Sequence, residues 1–212
     1  MKLKMAHVEA VQQVGISGGY TLDFVQSYLP GFQKSGDEEA KMYSAPGWAI
    51  HVLMYEYDDN GKVMKAQRYL NRFLTEFAEK IDWDTKEMVV VPIPSCLDNG
   101  EVDKKTKPQY GIGKQLSTLL SAKAYEECLV KNSTTQAKYA GFTDWRSGAF
   151  VQTKHFEEPT DVLLVDDVYG KGMTLRACLK ELRKDPMVRN VYFFSIGRTH
   201  KDGLRNAPAQ AA

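Results

Sequence analysis

Asp161-Val162-Leu163-Leu164-Val165-Asp166-Asp167-Val168, running on into Tyr169-Gly170-Lys171-Gly172-Met173-Thr174, decides the fold of this chain. Val162 to Val165 are apolar without a break. A short run with no polar alternation suits a strand covered on both faces, the habit of parallel sheets. Two acids close the strand, Gly170 and Gly172 mark a tight turn, and a helix follows. Leu175, Cys178, Leu179 and Leu182 form that helix's apolar stripe until Asp185-Pro186 stops it. Val191 to Ile196 (VYFFSI) is a further buried strand, and Met88 to Ile93 (MVVVPI) is another. Between and before these lie two amphipathic helices. One carries Ala66, Leu70, Phe73, Leu74 and Phe77; the other runs from Gln115 to Ala124 with Leu116, Leu119 and Leu120 on one face. Gly47 to Tyr57 (GWAIHVLMYEY) reads as a strand or as a short helix, and Asp58 to Gly61 as a turn. The alternation of strand and helix predicts an α/β domain built on a parallel sheet.

Composition agrees with one globular domain: 212 residues, 43% hydrophobic and 26% charged. Lys and Arg number 28 against 27 acids, and a net charge of +1 gives no global attraction to nucleic acid or anionic lipid. Any bound anion must be held locally. The cysteines, Cys96, Cys128 and Cys178, are odd in number and scattered, so neither a disulfide framework nor a zinc pattern is present. No apolar run nears the ~18 residues of a membrane helix, and the opening MKLKMAHVEAVQQ is too polar for a signal sequence. A reducing, cytoplasmic setting is the expectation.

Acids at the carboxyl end of a buried strand sit where open α/β sheets bind ligands. The glycine-bearing turn after them leads into a helix N-terminus, which favours negative charge, and Thr174 adds a hydroxyl. The acids themselves repel phosphate. They can instead accept hydrogen bonds from a diol or hold a hydrated divalent cation. Together these features describe a site for a ribose 5-phosphate; the plain alternative is an ordinary strand, turn and helix.

The run Val162 to Val168 through Gly172-Met173-Thr174 resembles the PRPP-binding motif of type I phosphoribosyltransferases. Further pieces in order resemble the ComF-like branch: Val91-Pro92-Ile93-Pro94-Ser95, Tyr110 to Leu116, Gln136, Arg146, Gly148-Ala149-Phe150 and Gly197-Arg198-Thr199. The resemblance implies a type I phosphoribosyltransferase-like fold, a central parallel sheet flanked by helices. Residues 1–45 would form a hood or cap, 46–200 the core and 201–212 a flexible tail. It implies that Asp166 and Asp167 bind the ribose hydroxyls and hold Mg²⁺ through water. Val168, Tyr169, Gly170, Lys171, Gly172, Met173 and Thr174 would cradle the 5-phosphate. Pro94, Ser95 and Cys96 would line the pyrophosphate, with the loop Leu97 to Gly113 closing over it. The implied chemistry is transfer of phosphoribosyl from PRPP to a nitrogen nucleophile. Association of the branch with DNA uptake and phage defence leaves a second role open, a non-catalytic PRPP or nucleotide sensor within a protein complex. A homo-oligomer is also open, with Trp48 and Tyr57 suited to a dimer contact.

The sequence departs from the family pattern at several points. Gly170-Lys171 stands where Thr-Thr is common, Tyr169 replaces an aliphatic residue, and Tyr110 replaces Arg. Lys171 reads as a cation for the phosphate or as a solvated turn residue, and Lys104, Lys105 and Lys107 as pyrophosphate cations or a solvated run. Cys96 reads as a small buried residue. His7, His51, His155 and His200 show no metal-ligand spacing.

Overall fold

The computed structural model describes residues 9–10, 15–25, 45–95, 107–132, 149–170 and 172–199. Eight strands and four helices follow in the order β1 (Glu9–Ala10), β2 (Gly18–Val25), α1 (Ala45–Tyr55), α2 (Asn60–Ala78), β3 (Met88–Pro92), α3 (Pro108–Leu119), β4 (Ala124–Tyr125), β5 (Leu129–Lys131), β6 (Phe150–Gln152), β7 (Thr160–Tyr169), α4 (Met173–Leu182) and β8 (Val188–Thr199). Six strands form one sheet in the order β1-β2-β8-β7-β3-β4, parallel throughout except for β1 against β2. The hairpin β5–β6 is separate. The architecture is the expected one, α/β with a central parallel sheet flanked by helices.

Strand alternation sorts the core into two layers. Leu163 and Val165 of β7, with Met88, Val90, Phe194 and Ile196, face α1, α2 and α3. Val162 and Leu164, with Val89, Val91, Val191 and Phe193, face α4 and the β5–β6 hairpin. All these strand residues are buried, which is why their segments read as unbroken apolar runs. The predicted stripe of α2 is its buried face, and Asp59 caps that helix by accepting from the Lys62 amide at 3.0 Å.

Three expectations change. Gly47 to Tyr57 is helix to Tyr55, not strand, because Ala49, Ile50 and Val52 pack on the sheet through one helical face. The helix placed at Gln115 to Ala124 begins at Pro108, a residue suited to the first helical turn, and ends at Leu119. The loop Leu97 to Gly113 therefore loses its last six residues to α3. Part of the stretch expected as a hood, Gly18–Val25, is a strand of the central sheet beside β8. Glu9–Ala10, from the same stretch, pairs antiparallel with it, while residues 1–8, 11–14, 26–44 and the tail 201–212 lie outside the described residues. Trp48 packs edge-on against Tyr69 over the core, whereas Tyr57 is exposed. Among the described residues no helix is long and apolar enough to cross a membrane.

Candidate ligand-binding site

Because β2, β8, β7 and β3 run parallel, their carboxyl ends share one edge. Pairing of β7 with β3 ends at Val165 opposite Pro92, and the Ile93 amide closes it by donating to the Val165 carbonyl at 2.8 Å. Beyond that bond β7 continues on β8 alone, Asp166 opposite Ser195 and Tyr169 opposite Arg198. Past that bond residues 93–95 and the acid pair are no longer joined in the ladder, the place where open parallel sheets leave a crevice.

The acids do not simply alternate across the sheet. Val165 and Val168 pack on the same layer, while Leu164 and Tyr169 pack on the other. Strict alternation would put Val165 and Val168 on opposite faces, so the period breaks at Asp166-Asp167. The break keeps the two carboxyls close enough for each to act on the other's charge. One oxygen of each is used locally: Asp166 Oδ1 accepts from the Asp167 amide at 3.0 Å, and Asp167 Oδ1 from the Val168 amide at 2.6 Å. Burial pushes Asp166 well above the usual carboxylate range, the Asp167 charge adds to the rise, and the Lys131 charge opposes it. Burial raises Asp167 as well, against the pull of its hydrogen bonds and of Lys107.

The turn is shorter than the family resemblance implies. Val168 and Tyr169, expected in the phosphate cradle, belong to β7 and pair with Gly197 and Arg198. The Tyr169 ring packs on Phe193, 5.4 Å between centroids, rather than standing free for a base. Of the residues expected to cradle a phosphate, Gly170 and Gly172 lie between β7 and α4, and Met173 and Thr174 open α4. Gly172 is the helix N-cap at φ +72°, a left-handed conformation that glycine alone adopts without strain. No side chain caps α4 and no acid lies in its first turn, so its N-terminal amides and dipole suit an anion. Lys171, Cys96, Lys104, Lys105, Gln136 and Arg146 lie outside the described residues, as does the side chain of Arg198. Pro94 is buried and Ser95 half-buried at the crevice's other wall.

Two residues at this edge escaped the sequence reading. Lys131, at the end of β5, is 6% exposed, and its charge acts on both Asp166 and Cys178. Its Nζ lies 6.0 Å from the Phe150 ring, its partner across the hairpin. A lysine heading the polar run Lys131-Asn132-Ser133 reads as solvated; only the hairpin's packing on α4 turns it inward. Gln109, in the first turn of α3, is 2% exposed and donates through Nε2 to the Ile93 carbonyl at 3.2 Å and to Ser95 Oγ at 2.7 Å. It binds the turn after β3 to α3.

Cys128 and Cys178 are free and buried. Burial pushes the Cys128 thiol up to about 12 and Cys178 well above its ordinary value, so neither is an activated nucleophile.

Solved structures similar to the chain include a glutamine PRPP amidotransferase from B. subtilis complexed with ADP and GMP. It shares 14% identity over 69% of this chain and 30% of that one, with a TM-score of 0.47. The chain thus spans less than a third of that enzyme's length. An adenine phosphoribosyl transferase from Trypanosoma brucei, in complex with AMP, pyrophosphate and ribose-5-phosphate, shares 11% identity over 97% and 96% of the two chains, at a TM-score of 0.44. A hypoxanthine phosphoribosyltransferase from Staphylococcus aureus shares 15% over 63% and 73%, at 0.40. No protein-family model matches the chain, and no curated protein matches it in sequence.

A divalent cation fits the donor set, though loosely. Asp166 and Asp167 offer hard carboxylate oxygens whose ionisation burial opposes, and a cation beside them would reverse that. No group of three or more His, Cys, Asp or Glu suited to a metal exists among the described residues. The arrangement suits Mg²⁺ carried mainly by water and a ligand's phosphates.

Proposed function

We propose that the chain binds PRPP, or another ligand bearing ribose 5-phosphate, together with Mg²⁺, and transfers phosphoribosyl to a nitrogen nucleophile with release of pyrophosphate. The observation that carries this reading is the meeting, at one sheet edge, of an acid pair, each carboxylate anchored by the next residue's amide, with an uncapped helix entered through a left-handed glycine. Asp166 and Asp167 keep one oxygen each for the ribose hydroxyls. Gly170, Gly172 and the α4 amides take the 5-phosphate. Ser95 and Lys107 face the leaving group across the crevice. Mg²⁺, when bound by Asp166, Asp167 and the ligand, supplies charge to the departing pyrophosphate. The protein's own share is to orient C1 of the sugar, exclude water and place donors where charge develops. The buried free thiols Cys128 and Cys178 suit a reducing, cytoplasmic setting.

A second reading has its own observation. The turn after the acids reads Gly170-Lys171 where the resembled family has Thr-Thr, so a hydroxyl donor to the phosphate is lost while the acid pair is kept. The chain would then sense PRPP or a nucleotide without transfer.

Calorimetry with PRPP and Mg²⁺ tests binding. Asp166→Asn with Asp167→Asn should abolish it while circular dichroism stays unchanged; unaltered affinity would remove the site. Pyrophosphate release over a panel of nucleobases and amines then separates transfer from sensing.

A further inference from the structure

Gln109 does more than fill space at the start of α3. The direction of its amide follows from chemistry: the Ile93 carbonyl can only accept, so the amide nitrogen must face it. The nitrogen's second hydrogen then falls on Ser95 Oγ, at 2.7 Å. This leaves Gln109 Oε1 buried with no partner among the described residues. A site that needed only a plug would be better served by Leu or Met, which bury no polar atom.

The consequence lies at Ser95. A serine hydroxyl has one proton to give. With Gln109 donating into its oxygen, that proton points away from Gln109, and no acceptor for it is found among the described residues. Ser95 is half-buried beside the crevice. Lys107, the residue before α3, contributes positive charge on the same side, where it is felt by Asp167. We propose that Gln109 is a positioning residue, which commits the Ser95 hydroxyl to donation toward the leaving-group oxygens that the proposed function already sets against residues 93–95. The inference rests on the phosphoribosyl reading and specifies how the leaving-group end of that site is held.

Calorimetry of the full chain with inorganic pyrophosphate, and separately with ribose 5-phosphate, each with Mg²⁺, tests it. Ser95→Ala and Gln109→Met should each weaken pyrophosphate by about tenfold, the scale of one hydrogen bond to a charged group. The double variant should be no weaker than either single one, because both remove the same donor. Ribose 5-phosphate affinity should stay unchanged in both, and Gln109→Met should still fold, the loss of its unpartnered Oε1 offsetting in part the loss of its bond to the Ile93 carbonyl. Gln109→Glu adds a pH readout. Its carboxylate accepts the Ser95 proton when ionised, and affinity measured relative to the parent at each pH should partly recover as that carboxyl protonates. Parent-like pyrophosphate binding in either Gln109 variant, multiplicative losses in the double variant, or failure of Gln109→Met to fold would each overturn the proposal. Those results with ribose 5-phosphate still bound sink the Gln109 role alone. A parent chain that binds neither ligand sinks the phosphoribosyl reading, and this inference with it.

Discussion

Asp166 is held where its charge is least welcome, half-buried at the end of β7 beside a second acid. Its folded-state pKa lies well above the unfolded value, and the sign of the linkage follows. Below the ordinary carboxylate range both states are protonated and Asp166 is neutral to stability. As pH rises above that range, the unfolded chain releases the proton first, so Asp166 increasingly opposes folding until its raised pKa is passed. Asp166→Asn keeps the oxygen that accepts from the Asp167 amide and removes the titration. We expect the variant to be more stable than the parent at pH 7, with the difference closing toward pH 4, in denaturant unfolding followed across pH. An equal offset at both ends would mean that burial of this carboxyl costs nothing. Retention of such a residue against stability is what a binding role predicts.

Position of the site depends on elements that the sequence disclosed unevenly. The β5–β6 hairpin, which carries Lys131, is tied to the end of α4 through Asp185. Its Oδ2 accepts from Gln152 Nε2 at 2.8 Å and from the Phe156 amide at 3.1 Å, with His155 Nδ1 at 3.2 Å, and its Oδ1 from the Met187 amide at 3.0 Å. Burial alone would raise this carboxyl, but those hydrogen bonds outweigh it and hold it below the usual range. Its contribution is therefore present above the unfolded carboxylate pKa and lost as pH falls through the lowered one. Asp185→Ala should cost about 3 kcal/mol near neutrality and less in acid, by urea unfolding. It should also loosen the hairpin, and so weaken any ligand whose binding needs Lys131. None of this anchor was legible, because Asp185-Pro186 reads only as a helix stop. The apolar body of β7, by contrast, was legible, since an unbroken apolar run has few other uses; its extension through Tyr169 was not. α3 was misjudged at its start by Gly111 and Gly113, which argue against helix. Gly111 faces open space, while a Cβ at Gly113 would sit 3.3 Å from the Tyr125 ring, so the second glycine is there for close approach to β4.

At the scale of the molecule, one sheet serves two hydrophobic layers, and β7 and β8 belong to both. Leu163 and Leu164 are adjacent, fully buried, and point to opposite layers. If the layers were separate units, Leu163→Ala would lower one transition and Leu164→Ala another. Because every core strand is shared, each substitution should instead destabilise the whole fold by about 3 kcal/mol, the usual result of truncating a buried leucine. Each variant should still unfold in a single transition, with fluorescence and far-ultraviolet circular dichroism coinciding. The site begins where the strands leave this core, with Asp166 three residues beyond Leu163 and two beyond Leu164. Below their lowered melting temperatures the two variants should therefore bind ribose 5-phosphate with nearly parent affinity, since neither side chain reaches the crevice. The ligand should also restore stability in proportion to its occupancy, about 2.7 kcal/mol at a hundred times its dissociation constant. Split transitions, or a large affinity loss in either variant, would mean that the crevice is shaped by the core beneath it and not by the chain ends that project beyond it.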